Sequence, residues 1–98
     1  MFKNERYLTV GIANTLPPWL VFMLWDTIDE MKTPVDYLQV FSVSCEEKDG
    51  ISHITIVHSQ ENPEYSQTYT AVTQDKINAK IFVIDDGDHS TMLLAEEY

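Results

Sequence analysis

Leu16 to Lys32, with the sequence LPPWLVFMLWDTIDEMK, decides the fold, because no other stretch is long and apolar enough to form a core helix. A helix turns by about 100° per residue, so apolar side chains spaced three or four residues apart share one face. Proline is favoured in the first turn of a helix, and a residue before proline avoids helical backbone angles. The segment therefore predicts a helix from about Pro18 to Lys32. Its predicted core face consists of Leu16, Leu20, Leu24, Ile28 and Met31.

Large aromatic side chains occupy the side of this helix that faces away from the predicted core. Trp19 and Phe22 project among Asp26, Asp29 and Glu30, and Trp25 lies between the two sides. Aromatic residues surrounded by charge are typical of protein interfaces. The predicted partner-binding surface consists of Trp19, Phe22, Trp25, Asp26 and Asp29. In the alternative interpretation, the N-terminal segment or the C-terminal tail folds over the rings and makes them part of the core.

Composition limits the classes of function. The chain has 98 residues, enough for a single domain spanning residues 1–98, and its formal net charge is -10. Such a charge repels nucleic acid and anionic membranes, so neither is an expected partner. The single cysteine, Cys45, cannot form an internal disulfide. With no secretory signal pattern and no long apolar run, the sequence predicts a cytoplasmic protein.

Segments with two-residue periodicity predict strands on both sides of the helix. Tyr7 to Ala13 alternates before it, and two strand-like segments after it are separated by Asp49 and Gly50. Asp-Gly is a strong signal for a two-residue hairpin loop. This loop predicts a register in which the following residues face each other: Cys45 and Ile54, Val43 and Ile56, Phe41 and His58.

The C-terminal half predicts further strands. Ser66 to Thr73 and Ala79 to Asp85 are rich in residues that favour strands. A second Asp-Gly pair, Asp86 and Gly87, predicts another two-residue turn, which would place Ile81 opposite Met92. The alternative is a short C-terminal helix capped by Ser90, but its acidic last turn would oppose the helix dipole, so a strand is preferred.

These elements predict an α+β domain. One main helix packs on one face of a mostly antiparallel sheet of five or six strands, in the chain order β-α-β-β-β-β(-β).

Several phrases of the sequence resemble family 960 of the domains of unknown function, which are small bacterial proteins. They are RYLTVGI (6–12), LWDTID (24–29), DYLQVF (36–41), HSQENPEY (58–65) and IDDGDHSTMLLAEEY (84–98). The resemblance covers nearly the whole chain, and the C-terminal phrase is its most specific part. It implies no activity, cofactor or catalytic residue.

The acidic turn from Asp85 to Thr91 invites a metal-binding interpretation. Asp86, Asp88 and Ser90 have the spacing of the first three ligands of an EF-hand loop. Thr91, however, stands where that loop needs glycine, and a strand precedes the turn instead of a helix. No pair of Cys or His residues has zinc-ligand spacing. No metal site and no cofactor are predicted.

Two classes of function remain open. The first is an acidic interaction or regulatory module without catalytic activity, which binds a protein partner or associates with itself. The second is an enzyme or ligand-binding protein with a site near the acidic turn or in the loop from His58 to Tyr65. The candidate ligand-binding residues of this alternative are His58, Asp86, Asp88, His89 and Ser90.

Overall fold

Six strands form one sheet in the order β1-β6-β5-β2-β3-β4. The structure is a computed structural model that describes residues 1–98. β1 runs parallel to β6, and all other neighbours are antiparallel. The elements are β1 (Glu5–Leu8), α1 (Val10–Thr15), α2 (Pro18–Asp29), β2 (Leu38–Lys48), β3 (Ile51–Gln60), β4 (Tyr65–Thr73), β5 (Ala79–Asp85), β6 (His89–Leu94) and a 3₁₀ turn (Ala95–Glu97). The α+β class and the sheet are as predicted, but the helical part and the strand order differ.

The hairpin of β2 and β3 has the predicted register. Asp49 and Gly50 both have positive φ angles, 54° and 77°, as a type I′ loop requires. Val43 faces Ile56, and Phe41 faces His58. The loop type and the apolar alternation independently specify the same register.

The hairpin of β5 and β6 has a longer loop than predicted. Ile81 faces Leu94 instead of Met92, because the Asp86 amide donates to the His89 carbonyl, 3.0 Å away, and closes a four-residue loop. The Asp86 carboxylate also accepts from the amides of Asp88 and His89. The register shifts by two residues, so every side chain keeps its predicted face. The preferred C-terminal strand is confirmed.

The predicted strand from Tyr7 to Ala13 is wrong beyond Leu8. A helix, α1, begins at Val10 because the Thr9 hydroxyl accepts from the Ile12 amide (3.2 Å) and the Ile12 side chain is buried. It ends where Leu16, preceding a proline, adopts extended angles. The single main helix is thus replaced by two helices of six and twelve residues.

α2 begins at Pro18 as predicted, but it ends at Asp29, three residues before the predicted end at Lys32. The helix has no basic residue in its last turn, and Asp29 and Glu30 lie unfavourably near the negative end of the helix dipole. Met31 therefore lies beyond the helix and is only half-buried.

The core lies between the two helices and one face of the sheet. Its buried apolar side chains from the helical side and the N-terminus are Phe2, Ile12, Leu16, Leu20, Val21, Leu24, Trp25 and Ile28. Those from the sheet and the β4–β5 loop are Phe41, Val43, Ile54, Ile56, Ile77, Ile81, Val83, Met92 and Leu94. Neither helix has the length and apolar character needed to cross a membrane.

Candidate interaction surface

The outer face of α2 carries two large aromatic side chains that the core does not cover. Leu20 and Leu24 point into the core and are fully buried. Trp19 and Phe22 consequently turn outward, and they are 38% and 69% exposed. An exposed phenylalanine of this degree, next to an exposed tryptophan, forms an apolar patch of the kind found at protein interfaces.

An open groove lies between α2 and the edge strand β4, and we call it the α2–β4 groove. Its volume is about 560 Å³. It is lined by Trp19, Phe22, Met23, Asp26, Thr27, Glu30 and Tyr69. Apolar side chains and two carboxylates line it, and no lysine or arginine does.

The Trp19 ring is held in place at one end of this groove. Its Nε1 donates to the Asp75 carboxylate at 3.1 Å, and the same oxygen accepts from the Thr73 hydroxyl at 3.1 Å. The Asp75 amide donates back to the Thr73 hydroxyl oxygen. These hydrogen bonds therefore hold the indole in one orientation at the surface.

Tyr69 forms the wall of the groove on the side of β4. Burial raises the pKa of its hydroxyl, and the neighbouring Tyr65 hydroxyl and Glu30 carboxylate raise this pKa further. The hydroxyl therefore stays protonated at neutral pH and keeps a hydrogen that it can donate.

A second, smaller groove begins on the other side of Phe22, and we call it the α1–α2 groove. Its volume is about 220 Å³, and five of its six lining residues are hydrophobic. The lining residues are Leu8, Ala13, Leu16, Pro18, Val21 and Phe22. Phe22 thus forms the ridge between two concave surfaces.

Trp25 and Asp29 take a different role from Trp19 and Phe22. Trp25 is only 7% exposed, and the Arg6 guanidinium lies 4.6 Å from the centre of its ring. The same guanidinium donates to both carboxylate oxygens of Asp29. Here the N-terminal segment does fold over the helix, so these two residues fix that segment and line neither groove.

The sequence did not point to three residues of the α2–β4 groove. Met23 and Thr27 belong to α2, and Tyr69 belongs to β4. They could have been identified only if β4 had been predicted to lie beside α2 at the edge of the sheet. Strand order depends on long-range pairing, which the local pattern of β4 does not reveal.

The residues of the alternative ligand site do not share a cavity. His58 is completely buried on the helix-covered face of β3, and none of the five residues lines either groove. The carboxylate of Asp86 is already bound to backbone amides and to His89 Nε2, 3.0 Å away. Its hydrogen bonds with the amides lower the pKa of Asp86.

Ser90 and the buried Asp85 bind the N-terminal segment. The Ser90 hydroxyl donates to Asn4 Oδ1 at 2.6 Å. Asp85 accepts from the Phe2 amide at 2.7 Å and from Asn4 Nδ2 at 3.0 Å. The bond from the Phe2 amide is the largest of the causes that hold the pKa of Asp85 below its usual value. These polar groups therefore have structural partners within the chain.

The fold and its surface define a class: a small α+β domain with two helices on one face of a six-stranded sheet and an aromatic groove beside the longer helix. Residues 5–97 match the family described as "Staphylococcal protein of unknown function (DUF960)", and the chain belongs to this family. The resemblance seen in the sequence phrases is thereby confirmed. A crystal structure described as a protein of unknown function from Enterococcus faecalis is similar over 97% of this chain and 91% of that one, with a TM-score of 0.72 and 27% identity. Comparison with curated proteins gave no significant match.

Proposed function

We propose that this protein is a small acidic interaction module without catalytic activity, which binds a protein partner through the aromatic face of α2. The observation that carries the proposal is the exposure of Phe22, 69%, on a ridge between two apolar grooves. Leaving such a ring in water forgoes about 1.5–3 kcal/mol of burial free energy. A partner that covers the ring recovers this free energy.

The layout of the surface supports the same proposal. Interface hot spots are enriched in tryptophan and tyrosine and lie in pockets with a polar rim. Trp19 on α2 and Tyr69 on β4 both line the α2–β4 groove, together with the carboxylates of Asp26 and Glu30. The net charge of -10 opposes binding to nucleic acid and to anionic membranes, so a protein is the favoured partner.

Site-specific photo-cross-linking in the native host tests the proposal. A photoreactive phenylalanine analogue placed at position 22 should give one dominant protein adduct. The matched control is the same analogue at Ile51, which is 43% exposed at the tip of the β2–β3 hairpin and should give none. Equal labelling from both positions, or no adduct from position 22, would contradict the proposal.

A further inference from the structure

β4 leaves one of its two edges without a partner strand. It is the last strand in the sheet order, it has nine residues, and it contains neither proline nor lysine. Edge strands of this length usually carry a device that blocks pairing with another chain, such as a bulge, a proline or an inward-pointing charge. The pairing of β3 with β4 is continuous, with no bulge from Ser52 to Gln60. The free edge of β4 is therefore open to another strand.

The hydrogen-bond alternation identifies the backbone groups at this edge. The Asp85 amide donates to the Tyr37 carbonyl at 2.9 Å, so odd-numbered residues of β2 bond to β5. Since antiparallel bonding alternates along a strand, even-numbered residues of β2 bond to β3. The registers of β2 with β3 and of β3 with β4 extend this alternation to β4. The backbone groups of odd-numbered residues of β4 therefore bond to β3. The groups left at the free edge are those of Ser66, Thr68, Thr70 and Val72.

The α2–β4 groove opens beside this same edge. Tyr69 pairs with the buried Ile56, so its side chain lies on the helix-covered face and lines the groove. Side chains of an added strand would alternate between the two faces of the sheet. Those opposite Tyr69 and its odd-numbered neighbours would point into the groove, towards Phe22 and Met23.

The charge around this site is negative. Asp26 and Glu30 line the groove, and Glu61 and Glu64 are exposed in the loop that leads into β4. Lys76, in the loop that follows β4, is paired with Glu47 at 3.0 Å. A positively charged segment is the complementary ligand.

We propose that the free edge of β4 and the α2–β4 groove together bind an extended, positively charged peptide segment of a partner protein. The segment adds to β4 as a further strand of the six-stranded sheet, and alternate apolar side chains enter the groove. Strand addition supplies affinity through backbone hydrogen bonds, and pockets for alternate side chains supply specificity. This inference rests on the proposed function, and it adds the conformation and the charge of the partner.

Two other ligands, a second copy of this chain and an amphipathic helix, would contact the site differently. A second copy of this chain would bring the same acidic loop and a net charge of -10 to the edge, which repels the first copy. An amphipathic helix would lie in the groove without using the backbone of β4, and its contact residues would recur every three or four positions.

Selection from a random nine-residue peptide library displayed on phage tests the inference, with the intact wild-type protein immobilised. The library length matches β4. The expected peptides are rich in lysine and arginine and carry apolar residues at every second position. Acidic peptides, or apolar residues at helical spacing, would overturn the inference.

Substitution of Thr68 tests whether the peptide pairs with the free edge of β4. Thr68→Pro removes an amide that points away from β3, so the ladder within the sheet is kept. The control Thr68→Ala keeps this amide. For a selected peptide we expect about tenfold weaker binding to Thr68→Pro and unchanged binding to Thr68→Ala, at equal melting temperatures. Equal affinity of both variants for the peptide would overturn strand addition.

Phe22→Ala separates this inference from the function on which it rests. Selected peptides that lose affinity for Phe22→Ala but bind Thr68→Pro normally would leave the aromatic surface in place and refute the added strand. If no recovered peptide depends on Phe22, both proposals fail. A dimer of the protein alone in sedimentation equilibrium, dissociated by Thr68→Pro, would assign the edge to a second copy and overturn the inference.

Discussion

Glu97 ties the C-terminal end of the chain to the start of α1. Its carboxylate accepts from the Thr9 hydroxyl at 2.7 Å and from the Leu94 amide at 2.8 Å. The bond from Thr9 is the main cause that lowers the pKa of Glu97, with smaller contributions from the amides of Leu94 and Gly11. A carboxylate at the positive end of a helix satisfies amides that have no partner within the helix. α1 is thus capped by a residue 88 positions away from Thr9.

Gly11 leaves room for this close approach. A Cβ atom at position 11 would lie 2.6 Å from a Glu97 carboxylate oxygen. In an ordinary helix, Gly→Ala stabilises by about 0.5–1 kcal/mol. Here we expect Gly11→Ala to lower the free energy of unfolding by about 1 kcal/mol in urea denaturation, because Glu97 must give up bonds worth more than the helix propensity gained.

A double-mutant cycle provides the control. Once Glu97→Ala has removed the carboxylate, Gly11→Ala should become stabilising by about 0.5–1 kcal/mol. The same destabilisation by Gly11→Ala in both backgrounds would show that the carboxylate does not set its cost.

His58 is a neutral histidine within the core. Its ring stacks on Phe41 with a centroid distance of 4.3 Å, and its Nε2 donates to Gln39 Oε1 at 2.6 Å. Gln39 donates its own amide hydrogens to Gln60 and to a backbone carbonyl, which leaves its oxygen to accept. Nδ1 of His58 is buried without a hydrogen-bond partner, and burial lowers the pKa of His58 to about 4.

This histidine makes stability depend on pH. The unfolded chain binds a proton at His58 near the ordinary pKa of 6.5, while the folded chain binds it only near 4. Stability is therefore fully present above pH 6.5 and falls as the pH drops from 6.5 to 4, by up to about 3 kcal/mol. Urea unfolding at several pH values should show a smaller loss for His58→Gln than for the wild-type protein. Parallel pH profiles of the two proteins would contradict the assignment.

At the scale of elements, the acidic turn between β5 and β6 is closed by its own hydrogen bonds. Asp85 accepts from the Gly87 amide at 2.8 Å, and Asp86 accepts from two further amides. No group of three or more His, Cys, Asp or Glu side chains is arranged to hold a metal ion. The carboxylates would have to give up these bonds in order to bind one.

Metal titration tests whether this turn binds a metal ion specifically. Millimolar calcium, magnesium or zinc should change the melting temperature by less than about 2 °C, because saturation of a specific site would raise it by about 10 °C. A shift of the larger size with one metal, lost in Asp86→Asn, would show a specific site.

Local signals specify some elements and not others. The pairing of β2 with β3 follows from Asp49, Gly50 and the alternation of their neighbours, all close in sequence. α1 was missed because its residues alternate like a strand, while its stabilising partner Glu97 is remote. The exposure of Trp19 and Phe22 follows from helical periodicity. The burial of Trp25 does not follow from this periodicity. It depends on Arg6, which packs on the Trp25 ring only in the folded chain.

At the scale of the whole molecule, the N-terminal segment completes the core. Phe2 is 1% exposed, and its amide is bound to the buried Asp85. Phe2→Ala should therefore lower the free energy of unfolding by about 3–5 kcal/mol, as expected for a buried ring. Circular dichroism during urea unfolding measures the loss, and a change below about 1 kcal/mol would mean that the segment is not anchored.

The two aromatic rings on the outer face of α2 should behave in the opposite way. Phe22→Ala should cost less than about 1 kcal/mol of unfolding free energy, because the ring is 69% exposed. Trp19→Ala should cost about 1–2 kcal/mol, because its indole is only 38% exposed and loses the hydrogen bond to Asp75. A loss of about 3–5 kcal/mol for Phe22→Ala would identify the ring as core.

Phe22 is the central residue of the proposed binding surface, and titration calorimetry with the purified partner cross-linked at position 22 measures its contribution directly. We predict that Phe22→Ala binds at least about 30-fold more weakly than the wild-type protein, a loss of about 2 kcal/mol. Tyr37→Ala, which removes a 54% exposed ring that lines neither groove, should bind normally. Equal affinity of the Phe22→Ala and Tyr37→Ala variants would contradict the account.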